Sequence, residues 1–218
     1  MARLIHRRRA SPLPPGAFAQ GGHRSVSRVH SDDVQWVEKR EHAKRESTVL
    51  GIPIRVSMRV HTGLKNGKRS PNELEWKHFQ TFFRHVPKEL RESFAQPYGI
   101  SHGKDGVVLY MEAVTDFTGQ PSRSLHEEGP VRDPFFWKQF DSMVRWMIHH
   151  GAVHFALKPE NILVKKISAD KSIPVLIDYK NMDPQRYFLQ PWLRIPALAR
   201  QKMLRRVARV WRKFFVPQ

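Results

Sequence analysis

The chain has 218 residues, 40% of them hydrophobic and 11% aromatic, which is enough for one substantial domain with a real core. It has no cysteine, which excludes disulfides, zinc–cysteine sites and thiol catalysis and suits a reducing cytoplasm; it also has no apolar run long enough to span a bilayer and no apolar secretory leader. The net charge is +18, but residues 1–30 carry six Lys/Arg without an acid and residues 194–218 carry eight without an acid, so the middle is only four charges positive and the excess sits at the ends, where it can meet an acidic surface, lipid or nucleic acid.

In chain order, residues 1–30 combine Arg8-Arg9, Pro14-Pro15, Gly21-Gly22 and scattered serines without a period. They predict a disordered basic arm, extending over 1–45. Within 31–49 only Val34, Trp36 and Val37 cluster, as a short helix or docking segment. Ile52, Ile54, Val56, Met58 and Val60 alternate, the period of a half-buried strand. A basic loop from Gly63 to Pro71 follows, and then Leu74, Phe79, Phe82 and Phe83 stand at helical spacing over 72–86. Residues 107–114, VVLYMEAV, predict a strand, and 115–132 a polar loop.

Asp133-Pro134 opens a helix as an N-cap followed by proline at the first helical position. Phe136, Phe140, Met143, Val144 and Met147 form its apolar face, and Gly151 closes it. Two short apolar strands are expected over 161–166 and 173–178, joined by a polar turn. A last helix, about 196–215, sets Met203, Val207, Val210, Trp211 and Phe214 on one side and arginines around the rest. Its apolar face is expected to dock on the core, although a basic amphipathic helix can also lie on an anionic membrane. No base-reading motif is present, so nucleic-acid binding would be non-specific and strongly salt-dependent.

The chemistry-bearing stretch is His154-Phe155-Ala156-Leu157-Lys158-Pro159-Glu160-Asn161-Ile162-Leu163, followed by Val175-Leu176-Ile177-Asp178. It resembles the protein-kinase catalytic loop, His-Arg-Asp-Leu-Lys-Pro-x-Asn, and the metal-binding Asp-Phe-Gly strand. The resemblance implies a nucleotide site in which Asn161 and Asp178 hold magnesium and Lys158 stands by the transferred phosphoryl group. Magnesium takes hard oxygen ligands, which an Asn carbonyl and an Asp carboxylate supply. Phosphoryl transfer itself is mostly positioning and charge neutralisation. The family's proton-accepting aspartate is replaced by Ala156, its arginine by Phe155, and its Phe-Gly by Tyr179-Lys180. His149, His150 and His154 are split by Gly151, so no zinc site is expected from them.

Further positions follow from the same resemblance. Arg59 is the stand-in for the phosphate-contacting lysine, unless Met58 aligns there and no cation remains. Glu73 (or Glu75) takes the place of the ion-pairing glutamate. Strand 107–114, with Glu112 and Val114, corresponds to the hinge that binds adenine through its backbone. No Gly-x-Gly-x-x-Gly loop precedes the first strand, and only 40 residues follow Asp178, too few for the usual helical lobe. The implied fold is α+β: a compact protein-kinase-like fold with a small N-lobe and a truncated helical C-lobe. Residues 46–218 would form it, with N-lobe and hinge over 50–115 and a reduced C-lobe over 116–218.

A narrower resemblance rests on LYMEAVTDFTGQPS, LKPENILVKKIS, SIPVLIDYKN and the basic, Trp-containing end. From about residue 50 onward these are similar to the YrbL-type PhoP regulatory network protein family, small kinase-like bacterial proteins in which the base position is commonly not aspartate. The resemblance implies a pseudokinase-type cytoplasmic regulator that binds ATP and magnesium without efficient phosphoryl transfer. Two alternatives stay open. One is an active atypical kinase that uses another base, for instance Asp183, on a small-molecule or protein acceptor. The other is a basic adaptor whose terminal helix binds an acidic protein or anionic surface.

Overall fold

Backbone pairing, more than apolar patterning, organises the first part of the chain. The computed structural model describes residues 24–31, 34–41, 44–49, 52–57, 70–103, 106–155, 157–179 and 191–217, the first four of these segments by backbone course alone. Strands β1 (Arg24–Ser31) and β2 (Val34–Glu41) join β5 (Pro97–Gly103) and β6 (Gly106–Glu112) in one antiparallel sheet of order β1-β2-β6-β5. Strands β3 (Lys44–Val49) and β4 (Ile52–Ser57) form a separate antiparallel pair.

The described residues between 24 and 49 therefore carry strands where the sequence predicts a basic arm and then a short helix or docking segment. The reason lies in β2, which is bonded to β1 on one edge and to β6 on the other, from Trp36↔Glu112 to Arg40↔Val108. Ladder bonds belong to the backbone, and β2's many polar and charged residues hide the two-residue period. The expected 52–60 strand is realised over Ile52–Ser57. Arg59, Met58 and residues 1–23 lie outside the described residues.

Helix α1 (Pro71–Phe83) begins with a capping box: the Ser70 hydroxyl accepts from the Asn72 and Glu73 N–H groups, and the Glu73 carboxylate accepts from the Ser70 N–H. The fully buried Asn72 amide donates at 2.7 Å to the Val107 carbonyl, tying the start of α1 to β6. In the second half of the chain, β7 (Arg123–Ser124), β8 (Ile162–Lys166) and β9 (Ser172–Leu176) form a three-stranded antiparallel sheet. It is accompanied by the short α2 (Leu125–Glu128), by α3 (Pro134–His149) and by α4 (Pro196–Phe214).

Helix α3 starts at Asp133, as expected, and the cap has a second task. One carboxylate oxygen accepts from the Phe135 N–H, and the other accepts from both the N–H and the hydroxyl of Ser172 at the head of β9. Gly151 follows α3 in the left-handed conformation (φ 70°) that suits glycine. One continuous core takes Phe79 and Phe82 from α1, Phe136, Phe140, Met143 and Met147 from α3, and Met203, Val207, Val210 and Phe214 from α4. Each such side chain contributes about 1.5–3 kcal/mol on full burial. The apolar face of α4 is thus spent on the core. Among the described residues, no helix is long and apolar enough to cross a membrane.

Candidate functional site

The site is built on the edge where β8 and β9 begin and end. Their antiparallel register sets Ile162 opposite Leu176, and one step further the Ile177 N–H donates to the Asn161 carbonyl at 3.0 Å. That bond brings Asn161 beside the residue preceding Asp178. Upstream, the turn Pro159–Asn161 closes with the Asn161 N–H on the Lys158 carbonyl at 2.9 Å, and Lys158 is left exposed. The Leu157 N–H bonds back to the Phe155 carbonyl at 3.0 Å. Ala156 lies outside the described residues, as do Lys180 and Asp183.

Asp178 is the one non-glycine residue with positive φ (72°) among those described. Left-handed backbone costs an L-residue about 1–2 kcal/mol, least for Asn and Asp, and persists where surrounding contacts determine it. Those contacts come through the next residue. Tyr179 is wholly buried, and its hydroxyl donates to the Ala95 and Leu176 carbonyls at 2.8 and 2.9 Å. Its N–H reaches the Glu75 carboxylate at 3.3 Å, and its carbonyl accepts from the His78 ring at 3.1 Å. The ring packs edge-on against Phe79 and Phe155. Burial above all, and then the carboxylates of Glu75, Glu112 and Asp178, push the phenol well above its usual pKa, so it stays a neutral donor.

The two α1 glutamates have separate tasks. Glu73 serves the capping box, and its other oxygen lies 3.6 Å from the exposed His102 ring. Glu75 is fully buried and faces the chain just after Asp178. At the end of β6, the Glu112 N–H donates to the Gln96 carbonyl at 2.7 Å, and its carboxylate accepts from the Gln96 N–H at 3.1 Å. Val114 is buried, and its carbonyl accepts from Ser122. The structure thus links Asn161 to the residue before Asp178 and Glu75 to the residue after it, with Lys158 in the turn that leads into Asn161. Glu112 and Val114 stand at the end of the central strand, and Arg59 is not among the residues described.

Sequence reasoning missed two features here. Tyr179 reads as a lost Phe-Gly, whereas its hydroxyl fastens the strand end. The second is the approach of α4 to the 157–161 turn, where the Arg206 guanidinium donates to the Phe155 carbonyl at 3.5 Å. A spacing of i, i+3 and i+7 for Arg206, Arg209 and Lys213 is the signal that marked one cationic face.

A family model described as PhoP regulatory network protein YrbL matches residues 17–215, reaching well before residue 50 into the segment that the motifs alone leave out. Among solved structures, the chain is similar to the Rio2 kinase–ADP/Mg2+–phosphoaspartate complex from Chaetomium thermophilum, with a TM-score of 0.60, 15% identity, and coverage of 93% of this chain and 56% of that one. It also matches the apo form of PpkA-294, with a TM-score of 0.49, 11% identity, and coverage of 81% of this chain and 60% of that one. The chain spans little more than half the length of these structures. No curated protein matches it in sequence. The fold is α+β and kinase-like, with a small N-terminal lobe and a truncated helical C-terminal lobe.

Proposed function

The chain belongs to the PhoP regulatory network protein YrbL family, and from that premise we propose that it is a pseudokinase-type cytoplasmic regulator that binds ATP with magnesium and transfers phosphate slowly or not at all. The observation that supports this reading is the Ile177-to-Asn161 backbone bond, which holds Asn161 beside the residue that precedes the left-handed Asp178. These two residues suit a hard cation. Among the described residues no three His, Asp or Glu side chains are gathered to hold a metal, so such a cation would complete its shell with phosphate and water oxygens. Bound magnesium would supply charge neutralisation on the phosphates.

The chain's own residues take the remaining roles. Lys158 neutralises phosphate charge, and the backbone around Glu112 and Val114 receives the adenine. Glu75, held against the Tyr179 N–H, is proposed as the counterpart of the ion-pairing glutamate, because Glu73 is engaged in capping α1; Arg59 is the proposed phosphate contact. The lobes are proposed to divide near residue 115. Ala156 has no group that can accept a substrate proton, and a missing general base costs about 10²–10⁴-fold in rate. That loss leaves nucleotide affinity intact.

The test is thermal stability with and without ATP and magnesium, in the wild type and in Asp178→Ala. The expected result is a magnesium-dependent rise in the wild type, about 2.7 kcal/mol of added stability at a hundredfold excess over Kd, lost in the variant. No rise at millimolar nucleotide, or a rise that survives in Asp178→Ala, overturns the reading.

A further inference from the structure

A recess of about 540 Å³ opens between the 157–161 turn and the C-terminal half of α4, with His126 of α2 at its rim. This is the size of a small-molecule site. Lys158 faces it from the turn, and Arg206, Arg209 and Lys213 face it from α4. Four basic side chains thus line the recess with the single carboxylate of Glu160. No carboxylate among the described residues pairs with any of the four. Arg206 has only its 3.5 Å bond to the Phe155 carbonyl, and Lys213 lies 5.2 Å from the Phe214 ring.

The bland reading is a solvated basic face on a surface helix. Cations are favoured in the last turn of a helix by its dipole, which accounts for Arg212 and Lys213. It does not account for Arg206 and Arg209, which lie further from that end and line the recess beside Val210 and Phe214 while Arg205 and Arg212 point elsewhere. Helix α4 contains no acidic residue to relieve the crowding. One turn earlier, partial burial and then the Arg206 charge hold the Lys202 ammonium below its usual pKa.

We propose that this recess binds a small phosphate ester, with Lys158, Arg206, Arg209 and Lys213 as its cationic wall. Guanidinium forks match phosphate oxygens two at a time, and a dianion would neutralise charges that otherwise repel. A membrane is a poorer occupant of the recess, because most of the apolar face of α4 is buried in the core and the large apolar side chains it leaves exposed, Leu198 and Leu204, do not line the recess. A nucleic-acid strand asks for cations spread along a track, whereas these converge on one recess. Lys158 is shared with the nucleotide reading, whereas Arg206, Arg209 and Lys213 belong to the recess alone. Asn161 lines the same recess, so the ligand would lie against the loop assigned above to the metal.

The experiment titrates the full chain with inorganic pyrophosphate by calorimetry, in low salt and with a chelator so that no divalent metal is present. The expected result is saturable binding that weakens about tenfold or more in Arg209→Ser/Lys213→Ser. It should change less than about twofold in Arg205→Ser/Arg212→Ser, which removes the same charge from outside the recess. Asp178→Ala should leave it unchanged, which separates this site from the nucleotide site. Absence of binding at about 1 mM, equal weakening in the two double variants, or loss in Asp178→Ala overturns the proposal. So does binding of single-stranded DNA or anionic phospholipid vesicles that depends on Arg209 and Lys213 but is not displaced by pyrophosphate. Arg209→Gln alone gives the same comparison should the double variant not fold.

Discussion

The strand edge at 157–179 and the cationic face of α4 lie against each other, yet they are built on opposite principles. At the strand edge the groups on either side of Asp178 have named partners: Asn161 with Ile177, and Tyr179 with Ala95, Leu176, Glu75 and His78. On α4 the apolar side is buried as well as any core helix, while the Arg209 and Lys213 side chains facing the recess have no carboxylate partner among the described residues. Satisfied buried polar groups specify one conformation, and unpaired surface charge specifies none. The difference teaches that order and ligand attraction are divided between the two regions. Substitutions should therefore be costly in the first and nearly free in the second.

The largest effect is expected at Tyr179. Removing its ring in Tyr179→Ala leaves a cavity beside Phe79 and Phe155 and takes the hydroxyl from the Ala95 carbonyl, while the Leu176 carbonyl still accepts from the Ala95 N–H, at a cost of about 3–5 kcal/mol. Chemical denaturation measures it, and a loss below about 1 kcal/mol would show that the strand end is not fastened there. Tyr179→Phe keeps the ring and isolates the hydroxyl, for about 1–3 kcal/mol. It also carries a pH signature. The buried phenol's pKa lies above the ordinary 10.0, so the folded state holds its proton longer than the unfolded chain does. The resulting stability is complete below pH 10 and declines as pH rises above that value. Tyr179→Phe should flatten that alkaline decline relative to the wild type.

Glu75 comes next. Glu75→Ala strips the acceptor from the Tyr179 N–H and should cost about 1.5–3 kcal/mol, whereas Glu75→Gln keeps an oxygen there and should cost less. Equal losses in both would mean that the charge, and not the hydrogen bond, holds the pair. Asp178→Gly follows with a smaller effect. Glycine adopts φ 72° without penalty but loses more entropy on folding, so the net change should stay within about 1 kcal/mol. The same variant should lose any magnesium-dependent nucleotide stabilisation entirely. A functional loss without a stability loss would mark Asp178 as a residue kept for its carboxylate.

How much of this was legible in the sequence differs along the chain for physical reasons. Helix α3 was readable because its cap, its apolar face and its closing glycine are all local: Asp133, Phe136 to Met147, Gly151. The LKPEN turn and the strand before Asp178 were readable because the resemblance fixes their order and β8–β9 pairing needs only a short turn. Strand β2 was not, because its place depends on β6 more than sixty residues later, and long-range pairing leaves no mark on a charged stretch. The role of Tyr179 was hidden for a similar reason: its partners, Glu75 and Ala95, come from distant parts of the chain. The recess was hidden because Lys158 and Arg209 meet only after α4 docks.

The smallest effect is expected at Arg209 and Lys213, and it sharpens the comparison most. Both side chains are exposed, neither has a carboxylate partner, and substitutions of this kind usually stay within about 0.5 kcal/mol. Arg209→Ser/Lys213→Ser should accordingly leave stability unchanged or raise it slightly, because it removes like-charge repulsion from Arg206 and Lys158. Salt gives the sign of that term. Screening shortens from about 30 Å at 0.01 M to about 8 Å at 0.15 M, so added salt should stabilise the wild type more than the double variant. Melting curves across that range measure the difference. A loss of more than about 1 kcal/mol on substitution, at any salt, would mean that these cations hold α4 to the turn and that both regions are built for order. Neutral stability together with weakened pyrophosphate binding would place the work of Arg209 and Lys213 in the ligand they attract.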